Sequence, residues 1–322
     1  MFGTPNLDSS AHDTSAAPPT LAVIVPATDD PATLPHCLAA LARAGAAPED
    51  VVVVREPGRT GPAAARNAGA GRTAADVLVF VDSDVEVQVD ALVRVRAAFA
   101  ADAGLTALFG AYDDAPAAAG VVSEFRNLLH HHVHSAAAGP VETFWAGLGA
   151  VRREAFLSVG GFDAARFPHP SVEDIELGMR LAAAGARIGL DPRVRGRHLK
   201  RWTLRDMVVT DFRRRGVPWV QAMLRARHHS SALNLGWRHR LSALASLWVL
   251  GALLRRRPTH ALGAATGMVA LNRDFYGLLA RRLGVVGALA GVGLHAIHHL
   301  TAVAAVPAGL VTHVLVGAAN GR

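Results

Sequence analysis

The chain has 322 residues, of which 51% are hydrophobic and one, Cys37, is cysteine. A lone cysteine excludes internal disulfides and cysteine-based zinc sites, and the length suits one large domain or two smaller ones. The net charge of +7 is split along the chain: residues 1–192 hold 13 Lys+Arg against 23 Asp+Glu, whereas residues 193–322 hold 20 against 3. This points to an anionic ligand or surface at the C-terminal half.

Residues 1–20 are rich in Ser, Ala and Pro and have no apolar core, so they read as a disordered lead-in and not as a secretory signal. LAVIV at 21–25 reads as a buried strand ended by Pro26. Asp29 or Asp30 is expected to cap a helix with Pro31 in its first turn, on which Leu34, Leu38 and Leu41 recur at helical spacing. Residues 51–54 form a β-branched strand, followed by the turn REPGRTGP and the short helix AAARNAGAG. A third strand, VLVFV, follows at 77–81. Strand–helix alternation of this kind implies parallel strands and a nucleotide-binding type of half-fold. GAGRTA at 69–74 matches the G-x-G-x-x-A pattern, but it closes a helix and precedes a strand, the reverse of the dinucleotide context.

The third strand ends in Asp82-Ser83-Asp84. Charges are costly inside a buried strand, so this triplet should sit at its carboxyl end, where open α/β sheets bind ligands. Residues two apart on extended chain face the same way, so Asp82 and Asp84 can offer hard oxygens to magnesium or manganese shared with substrate phosphates. Taken alone, the triplet also fits a loop with two solvated acids.

Beyond it, residues 90–101 read as a helix, 105–110 as a strand and 121–138 as a helix carrying His130, His131, His132 and His134. Neighbouring histidines on a helix point in different directions, so a single metal site could use only some of them. In the stretch 143–163, Gly147 and Gly149 permit close backbone approach to a ligand, and residues 153–159 look like a short helix. Ser171 with Asp174 resembles a capping box opening the helix of Glu173-Asp174-Ile175-Glu176; acids in a first helical turn also need no catalytic role. A short strand is expected at 187–190.

Residues 193–240 hold 13 Lys+Arg interleaved with Trp202, Trp219 and Trp237, which suits nucleic acid or a membrane interface. The apolar stretches 241–254 and 260–271 favour the membrane, although each is short for a span. Residues 283–319 are long enough for one tilted span or a re-entrant pair, with a break expected near Pro307. Interfacial helices with at least one span are expected, and no nucleic-acid partner.

In order along the chain, LAVIVPATDD, GPAAARNAGAG at 61–71, VDSD at 81–84, FWAGLGAVRREAFLSVGGFD at 144–163 and EDIELGMRLAAAG at 173–185 together resemble the family-two glycosyltransferases of the GT-A fold. The tail NRDFYGLLARRLG with LHAIHHL looks like the membrane-associated end of bacterial members. The resemblance implies an α/β mixed sheet of Rossmann-like kind over 21–235, followed by a membrane-associated helical region at 236–322. It implies inverting transfer of a sugar from a nucleotide-diphosphate donor to a hydroxyl acceptor, lipid-linked or a cell-envelope glycan, at the cell membrane with the catalytic domain facing the cytoplasm. By the same resemblance, Asp84 binds a divalent metal (Mg2+ or Mn2+) with Asp82, and His198 is a further metal ligand. Asp174 is the general base, with Glu173 as the alternative. Donor contacts fall to Pro26, Ala27, Thr28, Arg66, Asp82, Ser83, Gly147 and Gly149. Two departures stand out. Arg55-Glu56-Pro57-Gly58 replaces the acidic pair that holds the base, leaving Glu56 to substitute. The Q-x-x-R-W element of processive members is replaced by RRRGVPW at 213–219, with Arg215 and Trp219 in its diphosphate role, which favours single-sugar transfer. A non-catalytic nucleotide-sugar-binding membrane scaffold and a nucleotidyltransferase are the competing readings; the second lacks a Gly-rich loop after the first strand.

Overall fold

The computed structural model describes residues 17–226 and 236–320; most of the expected lead-in, residues 1–16, lies outside them. Strands β1 (Leu21–Pro26), β2 (Val51–Val54) and β3 (Val77–Val81) are parallel, with β1 between the other two. Helices α1 (Leu34–Arg43) and α2 (Pro62–Ala70) connect them. α1 starts later than expected: Asp30, at φ 48°, closes a turn onto the Ala27 carbonyl, so Thr33 and not Asp29 or Asp30 precedes the helix, and Pro35 takes the first-turn position.

The rest of the sheet is β4 (Val85–Val87), β5 (Leu105–Tyr112), β6 (Gly139–Val141), β7 (Leu148–Arg152) and β8 (Arg187–His198). The order is β2-β1-β3-β7-β5-β8-β4, with β6 also on β8. β7 runs antiparallel between β3 and β5, so the sheet is mixed. β8 is far longer than the four residues expected, because it pairs with β5, β6 and β4 in turn.

Successive strand residues face opposite sides, and both sides are filled. Val23, Val25, Val79 and Val81 pack with α1 and with α3 (Ala91–Ala101). Ile24, Leu78 and Phe80 pack with α2, with α5 (Arg153–Ser158) and with α6 (Glu173–Ala183). Phe80 is fully buried against Phe156 and Phe162; truncating such a ring to Ala costs about 3–5 kcal/mol.

A third core joins α4 (Val121–Ala136) to the C-terminal helices through Phe125, Leu128, Met207, Phe275 and Leu279. α7 (Leu204–Val209) opens on a Thr203–Asp206 capping box and runs through a π-helical turn at Thr210–Gly216 into α8 (Val217–Ala226). α9 (Trp237–Leu254) and α10 (Pro258–Leu271) pair as a hairpin, and α11 (Arg273–Asn320) follows. The expected break near Pro307 is not there; the helix continues through Pro307 and is interrupted at Gly284, whose φ of 70° suits glycine. Leu279 packs on Gly291, and Tyr276 bonds His295, so the chain doubles back at this point. Arg273–Leu315 is apolar and long enough by composition to be a candidate membrane segment, with the turn at Gly284 dividing it. Leu244, Trp248 and Leu254 on α9, Leu262 on α10, and Val286, Leu289, Val311 and Leu315 on α11 are all exposed.

One buried charge group ties these helices to the sheet domain. Arg126 Nη1 on α4 lies 3.0 Å from Asp211 Oδ1, and His298 Nδ1 on α11 lies 2.7 Å from Asp211 Oδ2. Burial opposes ionisation of Asp211, but Arg126 and His298 bring its carboxyl down to about 2.

Candidate active site

The five residues of β3 are wholly buried, and the polar triplet begins where the strand leaves the core. The backbone there is pinned: Asp82 N–H donates to the Gly147 carbonyl, Val85 N–H to the Asp82 carbonyl and Leu199 N–H to the Asp84 carbonyl. This holds both carboxylates at the mouth of the sheet, each about a third exposed, at 32% and 30%.

Asp82 is turned toward α2, where Arg66 Nη2 lies 2.6 Å from its Oδ1. The other Nη of Arg66 donates to Glu173 Oε1 at 3.0 Å, while Glu173 Oε2 accepts from the Ser171 N–H at 2.8 Å. Arg66 is only 3% exposed. Burial opposes its charge, but Asp82 and Glu173 hold it more firmly protonated than usual. The expected diphosphate contact of Arg66 is therefore set against a guanidinium already shared between two carboxylates. The expected Ser171 cap is not formed: Val172 precedes α6, and the Ser171 hydroxyl donates to the Arg214 carbonyl.

Asp174, one residue on, takes its hydrogen bonds from backbone N–H groups, with the charges of Arg66 and Arg215 acting on it from a distance. Its Oδ2 accepts from the Ala146 N–H at 3.2 Å and its Oδ1 from the Ile175 N–H at 2.8 Å. Burial, then the charge of Glu173, push its carboxyl up to about 6. Asp82 is also raised, first by burial and then by Asp84, against the pull of Arg66.

Asp84 faces the opposite wall. Its Oδ2 is 3.4 Å from His198 Nε2, because Val85 and His198 are register partners across β4 and β8. Burial works against the Asp84 carboxylate, yet His198 and then Lys200 bring it below its ordinary value. His198 stacks on Tyr112, with ring centroids 4.4 Å apart at 13°. Tyr112 also meets His130 and Trp145. His130 and His134, one turn apart on α4, face this aromatic group and are held well below neutral by burial, His134 at about 4. His131 instead bonds the Tyr112 carbonyl, and His132 lies against Phe275. The four histidines thus serve three different environments.

At the other end of the cleft, Pro26 pairs with Val54, Ala27 N–H donates to the Val54 carbonyl, and Arg59 N–H donates to the Thr28 carbonyl at 2.7 Å. The loop at 55–60 is folded onto Thr28, whose hydroxyl also donates to the Thr60 carbonyl. Glu56 accepts from the Gly58 N–H in its own turn and is exposed. A side chain at Gly147 would strike Trp145, and one at Gly149 would strike Phe144, so both glycines are needed for packing inside the chain. Arg215 is exposed on the π-helical turn, with its charge felt at Asp174, Tyr112 and His134. Trp219 is half-buried three residues beyond the turn. Tyr112 and Lys200 lie outside the five motifs, and Trp145, though inside the motif at 144–163, has no role assigned to it by the sequence; the position of Lys200, two after His198, is the one local signal for it.

A parallel β-α-β-α-β half, an antiparallel strand beside it and carboxylates from two segments at the mouth of the sheet are the architecture of the GT-A fold. Residues 29–157 match the family model described as Glycosyl transferase family 2, and the chain is a glycosyltransferase carrying a domain of that family. No curated protein matches it by sequence. Among solved structures, it is similar to a mannosyltransferase, PcManGT from Pyrobaculum calidifontis, in complex with GDP-Man and Mn2+ (17% identity, 89% of this chain and 87% of that chain, TM-score 0.49). It is similar to GalNAc-T7 with UDP, GalNAc and Mn2+ (16% identity, 65% of this chain and 48% of that chain, TM-score 0.46). It is also similar to residues 1–349 of S. aureus TarS (14% identity, 87% of this chain and 90% of that chain, TM-score 0.44).

Proposed function

We propose that the chain moves one sugar from a nucleotide-diphosphate donor to a hydroxyl acceptor, with inversion, at a membrane surface. The observation that carries this reading is the contrast between Asp174 and Glu173. Glu173 is committed to Arg66 and Ser171, whereas Asp174 accepts only backbone N–H groups and is raised to about 6. A carboxylate near that value is a competent base close to neutral pH. In the reaction, the acceptor O–H proton passes to Asp174 as the acceptor oxygen attacks the anomeric carbon. The bond from that carbon to the diphosphate breaks, and the nucleoside diphosphate leaves.

Asp84 and His198 are the residues that would hold a divalent ion. Among the described residues no group of three such side chains converges, and Asp82 is occupied by Arg66. One carboxylate and one imidazole nevertheless suit manganese or magnesium when substrate phosphates complete the shell. Held there, an ion would supply positive charge toward the leaving diphosphate. Arg215 and Lys200 add positive charge on the same side, and the loop at 55–60, with Pro26, Ala27 and Thr28, would face the nucleoside. Glu56 and Trp219 keep their proposed donor roles.

The apolar outer faces of α9, α10 and α11, with Trp237 and the arginines beside them, support a membrane-associated region over 236–322; in this reading the catalytic domain over 21–235 lies on the cytoplasmic side. That placement would suit a lipid-linked or cell-envelope acceptor. The scaffold reading is disfavoured by the tuned Asp174. The deciding experiment incubates the chain with manganese and a panel of nucleotide sugars: transfer or slow hydrolysis of one donor supports the reading, and binding without turnover on a broad acceptor panel supports the scaffold.

A further inference from the structure

Behind α4, on the side away from the aromatic group, lies a cavity of ≈ 700 Å³ between the sheet domain and the C-terminal helices. Leu129, Val133, Leu271 and Phe275 form its apolar wall. Arg238, His239 and His295 bring polar groups to it. The volume is that of a small-molecule site, and the reaction proposed above uses none of these residues.

His295 is the informative group. It is 1% exposed, and its Nδ1 is 2.9 Å from the Tyr276 hydroxyl. In the tautomer in which that hydroxyl donates to Nδ1, Nε2 carries the proton and needs an acceptor; in the other, Nε2 is a lone pair that needs a donor. Nε2 is buried and has no hydrogen-bond partner among the described residues, although buried polar atoms are nearly always paired. Arg238 and His239 stand in the first turn of α9, an 18-residue helix with no acid in that turn, so the helix dipole adds to the demand for an acceptor-rich ligand. Two acids also line the cavity. Asp274 lies 3.6 Å from Arg273, and Glu142 has partners of its own. Next to Arg238, Trp237 is 63% exposed, and the apolar outer face of α9 begins there.

We propose that this cavity holds one membrane phospholipid, its phosphate ester at Arg238, His239 and His295 and an acyl chain along Leu129, Val133, Leu271 and Phe275. The inference rests on the membrane association proposed above. A phosphate oxygen would accept from His295 Nε2 and the guanidinium of Arg238, and the chain would cover an apolar wall that water serves poorly. Bound there, the lipid bridges α4 to α9 and α11.

The test uses the full chain purified in mild detergent. Native mass spectrometry should find about one phospholipid retained per wild-type chain and none on Ala136→Trp, which narrows the mouth at an exposed position. Thermal unfolding of delipidated protein should rise with added phosphatidylglycerol. Inorganic phosphate alone, or diacylglycerol with the same chains, should leave it unchanged. His295→Phe, which keeps the ring but removes the donor, should weaken the phosphatidylglycerol response at least about tenfold in concentration. Equal lipid retention by wild type and Ala136→Trp overturns the inference. A full shift with phosphate alone indicates a free-anion site, and a full shift with diacylglycerol shows that the phosphate is not read; either outcome also overturns it. Vesicle pelleting separates the two readings: a chain that pellets yet retains no lipid defeats this inference alone, and a chain that fails to pellet defeats the membrane association.

Discussion

Arg66 and Glu173 are hydrogen-bonded at 3.0 Å across 107 positions of sequence, and the same guanidinium holds Asp82 at 2.6 Å. The carboxylate that ends β3 and the first turn of α6 are therefore fixed relative to one another by one buried cation. Arg66→Met leaves two carboxylates facing an apolar side chain. Losing one partner of a buried pair costs about 3–5 kcal/mol, and the expected outcome is a clear fall in the thermal unfolding midpoint. Glu173→Gln should cost less, because a neutral amide can still accept from Arg66.

Asp174→Asn keeps the shape and removes the proton acceptor. Turnover should drop by about 10²–10⁴, while donor affinity by calorimetry stays within a factor of two or so, since the donor contacts proposed here lie elsewhere. A variant that turned over at the wild-type rate would mean that another group takes the proton.

The pH dependence has a definite sign. The folded chain holds Asp174 at about 6, above the ordinary 3.8, and the base works only when ionised. Activity should therefore rise through about pH 6 on the acid limb, not through pH 4. For stability, a raised carboxyl favours the folded state only while it is protonated, so its contribution is lost as pH climbs from about 4 to 6. Asp174→Asn should accordingly be as stable as wild type or more so above pH 6, checked by denaturation at pH 5 and pH 7.5.

His198→Phe preserves the stack on Tyr112 and removes the nitrogen that faces Asp84. Manganese should then be needed at concentrations at least about tenfold higher for donor binding, as expected when a nitrogen ligand is lost. Unchanged manganese dependence would remove His198 from the ion site.

Leu244 and Trp248 lie one turn apart on the outer face of α9 and are 61% and 63% exposed. Replacing both with Glu should abolish pelleting with anionic vesicles and leave soluble-donor binding intact. Retained pelleting would shift the contact to α11.

The first three strands were legible because each is a short apolar run bounded by turn residues, as buried parallel strands are. β4 and β6 were not, since three residues give no period to detect, and β7 was hidden because its glycine read as a ligand contact and not as room for Phe144. The two acidic motifs could be read as a site from their order, but the Arg66 bridge between them could not, because nothing local marks two residues 107 apart as partners. Proline is the usual cause of a kink, so the sequence places the expected helix break near Pro307. The chain bends instead at Gly284, where only the backbone conformation reveals it.

Asp211 sits between Arg126 of the sheet domain and His298 of α11, with all three side chains largely withdrawn from water. Pulling α11 away would strand a carboxylate and a guanidinium together, so the group behaves as a stop that fixes the standoff between the catalytic cleft and the apolar face. An acceptor anchored in lipid would then have to lift its hydroxyl to one set height to meet Asp174. On the membrane placement proposed above, acceptor choice would be in part a measurement of length, made by the distance from bilayer to base, and linkers between lipid and sugar that are too short would be refused without any contact rejecting them.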